Sequence, residues 1–338
     1  GSELNAGGNG IVRATENAED ANAQFLVDHL GNNGNSLEDP MLRGISRTTD
    51  GGLDPRAKIG SPVYSNLASY PDNEWFTEVP YKGAFDGTNW AATWTAVDAN
   101  GYFGDLDFGT ASDEVIVKDD DLNGDANWTN DNVYLLDGFV FLEQGTLTIE
   151  AGTVIKGLKN PTTGDNASAL IITKNAKINA IGTKGMPIIF TAEADDVEDP
   201  SDLDETDRGE WGGVILLGDA VLGFNTETSQ IEGIPTTEPR ANFGGTNDSH
   251  NAGVMKYVSI RHGGAALEPD KEINGLTFGG VGSETVIENV EVYANDDDGF
   301  EWFGGTVSCK WLVSAFNKDD AFDYDYGWRG NGQFWFVI

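Results

Sequence analysis

The chain has 338 residues, of which 56 are acidic and 20 are basic, so its formal net charge at pH 7 is −36. This charge argues against nucleic acid and anionic lipid as partners, because no positive surface offsets their phosphates. A hydrophobic fraction of 39 % is enough for a folded core, and the 44 glycines are typical of turn-rich β proteins. No apolar run is long enough for a transmembrane helix. The composition therefore predicts a folded acidic protein that is secreted, binds cations, or both.

The N-terminal part, residues 1–103, is predicted to be irregular, with at most one short helix within residues 14–30. The opening "GSELNAGGNG" has no signal-peptide pattern, so we expect an export signal to lie outside this sequence. The end, "GQFWFVI", falls within an apolar strand. We therefore expect a segment cut from a longer extracellular protein, truncated at the C-terminal end of its repeats.

Residues 104–132 are predicted to be a polar, acidic linker. Within it, Asp119, Asp121 and Asn123 occupy positions 1, 3 and 5 of a D-x-D-x-N-G calcium loop. Position 12 is Asn130, where an EF-hand has a bidentate Glu, and no flanking helices are predicted. A calcium-bound turn and a plain acidic turn both fit this pattern.

Residues 133–338 alternate with period two in short strands that end in Gly, Asn or Asp. "NDDDGF" at 295–300 recurs as "NKDDAF" at 317–322, a spacing of 22 residues. This spacing is about one rung of a parallel β-helix, whereas a propeller repeats nearer 40. The pattern predicts an all-β parallel β-helix over 133–338, with Cys309 as a buried, inert thiol.

The motifs "GTLTIEAGTVIKG", "RGEWGGVILLG", "VSIRHGG" and "DDDGFEWFGG" resemble those of secreted bacterial right-handed parallel β-helix proteins of the pectate-lyase-like superfamily. Most members have no assigned reaction. Residues 37–103 resemble the segment that closes these solenoids at their C-terminal end, although here it comes first. The resemblance implies either a piece of a tandem array or a permuted order.

In a 22-residue coil the two acidic turns stack, so equivalent side chains lie ~4.8 Å apart. Asp297 then lies over Asp319, Asp298 over Asp320 and Glu301 over Asp323. Like charges at this distance repel by roughly 3–4 kcal/mol per pair at an effective dielectric constant near 20. A shared calcium ion would offset this repulsion, with Asn295 and Asn317 adding amide oxygens or stacking as an Asn ladder. Shared protons at an acid/base centre and solvated turns are the alternatives.

Matching "YVSIRHGG" to "NVEVYAND" places Arg261 and His262 in the coil before the aspartates, if that coil has 32 residues. By resemblance, this set implies the equipment of polysaccharide lyases or hydrolases, with Asp297, Asp298 and Asp320 as the acids. A satisfied turn histidine is the alternative for His262. The exposed or buried state of Trp302 and Trp328 decides whether they stack on sugars or fill the coil interior.

The preferred hypothesis is a non-catalytic, calcium-stabilised β-helix at the cell surface or outside the cell. We expect it to bind an extracellular glycan, or copies of itself in a tandem or filament assembly such as an adhesin. The alternative is a polysaccharide lyase or glycoside hydrolase that acts on the Asp-rich face at 295–325.

Overall fold

The computed structural model describes residues 28, 29, 32, 38–58, 61–70, 73–85, 89–103, 113–197, 199, 201–223, 227–268 and 271–338. The chain divides into two compact units, residues 1–43 with 56–82 and residues 44–55 with 83–338. The helix predicted within 14–30 lies almost entirely outside the described residues, although Asp28 and His29 are helical. No helix in the described ranges is long and apolar enough to cross a membrane.

The strands in chain order are β1 (Leu42–Ile45), β2 (Leu53–Ala57), β3 (Asp113–Val117), β4 (Ala126–Trp128), β5 (Asn132–Leu136), β6 (Phe139–Leu142), β7 (Gly145–Ile149), β8 (Val154–Gly157), β9 (Ala169–Ile172), β10 (Ala176–Ile181), β11 (Ile188–Ala192), β12 (Val214–Leu217), β13 (Ser229–Gln230), β14 (Asn242–Phe243), β15 (Gly253–Arg261), β16 (Ala266–Glu268), β17 (Lys271–Glu272), β18 (Leu276–Gly279), β19 (Val286–Tyr293), β20 (Phe300–Phe303), β21 (Ser308–Ala315), β22 (Phe322–Asp325) and β23 (Gly332–Val337). From residue 38 onward, the described residues include the helix α1 (Ala96–Ala99) and the 3-10 turns η1 (Pro62–Tyr64), η2 (Asp119–Asp121) and η3 (Pro239–Ala241).

In the smaller unit, η1 is fixed by its N-cap. Ser61 Oγ accepts from the amide of Val63 at 3.1 Å and donates to the carbonyl of Pro40 at 2.7 Å. Pro62 at the first position needs no amide partner, which suits the start of a helical turn.

The larger unit is a parallel β-helix, which confirms the predicted fold class. One sheet follows the order β23-β21-β19-β15-β11-β8-β5-β3, and a second follows β22-β20-β18-β12-β9-β6. Every pair along both paths is parallel, so each strand stacks on the equivalent strand of the next coil. Leu, Ile, Val, Phe and Trp side chains from both sheets fill one continuous interior. Parallel sheets buried on their inner face require such apolar runs.

The predicted coil lengths are also confirmed. Val258 pairs with Val290, as the 32-residue coil requires, and Val290 pairs with Leu312 at the 22-residue spacing. The shorter coil has a tight turn where the longer one carries the antiparallel β16–β17 hairpin. The longer coil needs more residues because this hairpin is inserted in the connection from β15 to β18.

The coils begin within the stretch predicted to be a linker. Residues 104–112 lie outside the described residues, but β3 pairs in parallel with β5, and β4 pairs in parallel with β7. The acidic turn η2 therefore connects two strands of the stack. Short strands with polar connections between them do not stand out from a linker in the sequence.

The longest strands bend at a column of residues with left-handed backbone. Tyr257, Asn289, Trp311 and Phe334 occupy equivalent positions in β15, β19, β21 and β23, with φ between 50° and 62°. The register skips each of them, and β15 pairs with β10 before the bend and with β11 after it. The column next to the bend carries alternating charge, because Lys256 pairs with Glu288 at 2.8 Å and Glu288 lies over Lys310.

Residues 44–55, 83–85 and 89–103 pack on the outer face of β19, β21 and β23. Trp94 is fully buried among Tyr293, Val313 and Ala315, within a cluster that includes Phe85 and Tyr102. This part of the predicted irregular segment therefore shares a hydrophobic core with the coils. Cys309 is buried as predicted, and this burial raises the pKa of its thiol.

Candidate metal centre

The two acidic turns stack as the 22-residue spacing predicts. Asp298 Oδ1 accepts a hydrogen bond from the amide of Asp320 at 2.9 Å. The amide of Gly299 donates to the carbonyl of Asp320 at 2.9 Å, so the turn continues the register of β20 and β22. On these strands Glu301 pairs with Asp323. Successive coils therefore place carboxylates directly above one another.

Within the described residues, two groups of three carboxylates have ligand oxygens within 4.8 Å of one another. The outer group is Asp297, Asp298 and Asp319, and the inner group is Asp298, Glu301 and Asp323. Asp298 belongs to both. The inner group is the more deeply buried, since Asp298 is 8 % and Glu301 is 6 % exposed, whereas Asp319 is exposed.

Two further carboxylates come from segments that cover this face. Glu232, shortly after β13, acts electrostatically on Asp297 and Glu301, and Glu272 on β17 acts on Asp297. The covering segments are themselves fixed by apolar packing, because Ile231, Ile234 and Ile273 belong to one buried cluster. Sequence reasoning missed both glutamates because they lie in irregular segments outside the 22-residue repeat.

The environment of these carboxyl groups favours their protonated forms. Burial, with added repulsion from neighbouring carboxylates, raises the pKa of Asp297 to about 6, of Asp298 to about 7 and of Glu301 to about 9. Lys318 lies near this face, but its ammonium pairs with Asp296 at 2.9 Å, which belongs to neither group. The ammonium group of the adjacent lysine therefore forms its ion pair outside both carboxylate groups.

The two asparagines of the predicted site form a ladder beside the carboxylates. Asn317 Oδ1 accepts from the amide of Asn295 at 2.8 Å, and the Asn295 side chain donates to the carbonyl of Asp298 at 2.8 Å. The Asn317 amide donates to Ser314 Oγ at 2.7 Å. These bonds stack the two asparagines, while Asn295 Oδ1 has no hydrogen-bond partner within the described residues. A ligand role for the two asparagines therefore stays a prediction.

The linker residues proposed as a calcium loop have protein partners. Asp119 pairs with Arg240 at 2.9 Å and accepts from the amide of Phe141 at 3.1 Å. Asp121 accepts from the amide of Lys118 at 2.8 Å, and the Asn123 amide donates to the carbonyl of Asp120 at 2.9 Å. Carboxylate oxygens of Asp119 and Asp121 therefore already serve Arg240 and the backbone of the turn, and the calcium loop stays a prediction.

Arg261 and His262 lie in the coil predicted for them but face other groups. Arg261 Nε donates to Ser259 Oγ at 2.9 Å and interacts electrostatically with the buried Glu291. His262 is 3 % exposed, and its Nδ1 lies 2.6 Å from the carbonyl of Asp207. Burial lowers the pKa of His262. These partners favour the satisfied turn histidine for His262, and a part for either residue in acid/base chemistry stays a prediction.

Of the two interpretations left open for Trp302, the structure shows the buried one. Its side chain is fully buried and stacks between Phe278 and Trp335 at centroid distances of 5.3 and 5.1 Å. The indole faces are therefore covered and do not bind a sugar. Trp328 is half-buried and donates to the carbonyl of Val307, while the neighbouring Tyr324 is 66 % exposed.

A comparison with protein-family models matches residues 120–338 to the pectate-lyase-like beta helix domain. The chain belongs to this family. The match includes both acidic turns, all of the stacked strands except β3, and the η2 turn without Asp119. Neither a curated protein nor a solved structure matches the chain. Membership of the family establishes the fold, and the chemistry has to be argued from the site.

Proposed function

We propose that this chain is a non-catalytic, calcium-stabilised β-helix domain that acts outside the cell. The observation that carries the proposal is the convergence of the outer and inner groups on Asp298, where ligand oxygens from two successive coils lie within 4.8 Å of each other. Calcium takes six to eight oxygen ligands in flexible geometry, and carboxylates on adjacent turns supply such ligands.

Electrostatics supports a cation at this place. Two charges one strand spacing apart repel by roughly 3–4 kcal/mol at an effective dielectric constant near 20, and each group contains three carboxylates. A typical domain has only ~5–15 kcal/mol of net stability. A divalent ion bound between the carboxylates would convert this repulsion into attraction and would allow Asp298 and Glu301 to ionise.

The location and partners form the finer part of the proposal. A net charge of −36 and membership of a pectate-lyase-like family support a role outside the cell, with an extracellular glycan or further copies of the domain as partner. Tyr324 and Trp328, with ring centroids 6.1 Å apart, are two aromatic residues that a sugar could contact at this end of the coils. Glycan-array binding, lost in Tyr324→Ala, would support the glycan as partner. A concentration-dependent mass of the wild-type protein would instead support assembly.

Calcium titration of the full chain tests the proposal. We expect calcium to raise the melting temperature of the wild-type protein relative to EGTA, and Asp298→Asn to remove most of this increase. Asp131→Asn, which removes an exposed acid in another coil, is the matched control and should respond like the wild type. Equal melting temperatures of the wild type in calcium and in EGTA would refute calcium stabilisation.

The second candidate is a glycoside hydrolase or polysaccharide lyase. The raised pKa values of Asp298 and Glu301 favour it, because a carboxyl group that keeps its proton near neutral pH can act as a general acid. The oxygen separations of at most 4.8 Å are shorter than the ~6.5–9.5 Å of inverting hydrolases. Release of reducing or unsaturated ends from acidic polysaccharides, abolished by Asp298→Asn, would favour the enzyme over the scaffold.

A further inference from the structure

Asn274 occupies the position in its coil that Asp298 and Asp320 occupy in the next two coils. The register pairs Leu276 with Phe300 and Phe300 with Phe322. Asn274, Asp298 and Asp320 each lie two residues before these strand positions. The amides of Gly275 and Gly299 donate to the carbonyls of Asp298 and Asp320 at 3.0 and 2.9 Å, which extends the register into the turns. The column therefore reads Asn, Asp, Asp over three coils.

The side-chain oxygen of Asn274 is buried and unused by the described part of the protein. Asn274 is 2 % exposed, its amide nitrogen donates to Glu301 Oε2, and its Oδ1 has no hydrogen-bond partner there. Oδ1 belongs to the same planar amide that contacts Glu301, so it lies beside the inner group. Most buried polar atoms in proteins have a partner, and an orphaned oxygen incurs a desolvation cost.

We propose that Asn274 Oδ1 is a fourth oxygen ligand of the cation held by Asp298, Glu301 and Asp323. This inference rests on the proposed calcium site and adds a residue from outside the acidic repeat. The ligands then come from three successive coils, with Asn274 before β18, Asp298 and Glu301 at β20, and Asp323 on β22. One ion would connect all three coils along the direction in which they stack.

The neutral amide fits this position chemically. Calcium readily accepts amide oxygens alongside carboxylates, and an amide adds an oxygen without adding another negative charge to the cluster. Magnesium demands near-ideal octahedral geometry at shorter distances. Ligands fixed to rungs ~4.8 Å apart cannot adjust freely to that geometry, so calcium is the expected ion.

Isothermal titration of the full chain with calcium chloride provides the test. Asn274→Leu removes the oxygen at similar volume and should weaken calcium binding by about tenfold or more. Asn274→Asp keeps an oxygen at the Oδ1 position but loses the nitrogen that donates to Glu301. This variant should bind calcium at least as tightly as the wild type. The pair separates the ligand oxygen from the hydrogen bond to Glu301.

Thr277→Val is the matched control, because Thr277 is also buried and pairs with Glu301 in the neighbouring column. It should bind calcium like the wild type. Melting curves in EGTA establish that each variant folds. If Asn274→Leu binds calcium within twofold of the wild type, or if Thr277→Val weakens binding as much as Asn274→Leu does, Asn274 is not a ligand. Either result would leave the calcium site itself in place. Absence of binding to the wild type would overturn the calcium site itself.

Discussion

The carboxylate of Glu291 on β19 accepts a hydrogen bond from the backbone amide of Ala96, 195 residues earlier in the chain, at 2.5 Å. Val97 donates to the other oxygen at 3.3 Å, and Ser259 Oγ donates at 2.6 Å. Burial raises the pKa of Glu291, while Arg261 and these donors act in the opposite direction. Because each partner is a donor or a positive charge, the pocket suits the ionised carboxylate, which satisfies the first amides of α1.

Glu291→Gln should therefore destabilise the protein strongly. The change removes the negative charge that interacts with the buried Arg261 and weakens the attachment of α1 to the coils, at a cost of roughly 3–5 kcal/mol. Urea unfolding measures the loss. Glu288→Gln, on the same strand but in a partly exposed pair with Lys256, should cost less than about 1 kcal/mol. Equal stabilities of the two variants would contradict the anchoring role.

The calcium-free protein should lose stability as the pH rises from about 6.5 to 9. A carboxyl whose pKa is higher in the folded state favours folding when it is protonated, and this contribution is lost as the pH passes through the folded value. The pKa values of about 7 for Asp298 and about 9 for Glu301 fall within this window. Melting temperatures in EGTA measure the slope, which saturating calcium should flatten.

The histidines set the lower limit of that window. Burial lowers the pKa of both His250 and His262, so each is neutral in the folded state and acid weakens folding below their unfolded value of ~6.5. Between pH 6.5 and 9 their contribution is nearly constant. Glu301→Gln should reduce the slope there, and a slope unchanged in this variant would contradict the assignment to the carboxyl cluster.

Asp298→Asn should weaken calcium binding more than Asp319→Asn does. Asp298 belongs to both carboxylate groups and is largely buried, whereas Asp319 belongs only to the outer group and is exposed to solvent. Titration of both variants against the wild type gives the order. A larger effect at Asp319 would place the ion in the outer group and away from Glu301.

Trp302→Ala should destabilise the fold by roughly 3–5 kcal/mol, because it empties a fully buried site between Phe278 and Trp335. Tyr324→Ala, at a position 66 % exposed on the next coil, should change the free energy of unfolding by less than about 1 kcal/mol. Urea unfolding of both variants compares them. Similar small effects would mean that the indole is accessible after all.

The sequence predicts the stacked acidic turns well because consecutive coils of equal length repeat the same letters. The spacing does not predict the position of Asn274, although "NGLTFGG" is similar to "DGFEWFGG". The step from Leu276 on β18 to Phe300 on β20 has 24 residues (300 − 276), and an inserted hairpin precedes Asn274. Trp302 follows Phe300 by two positions, so strand alternation places both in the interior. Alternation alone does not show which face of a sheet is covered.

The sequence does not predict contacts between segments that lie far apart in the chain and belong to no repeat. Glu232 and Glu272 reach the site from covering segments, and the bond from Ala96 to Glu291 joins residues 195 positions apart. No repeat relates these partners, and their pairing depends on the tertiary packing of the described segments 89–103, 231–268 and 271–273. A propensity or a spacing carries no information about such packing.

The column of Lys256, Glu288 and Lys310 places opposite charges one above another, while the acidic turns stack like charges at the same strand spacing. Added sodium chloride screens both, so it should weaken the first column and relieve the second. The direction in which ionic strength moves the melting temperature of the calcium-free protein therefore reports which of the two columns dominates its electrostatic energy.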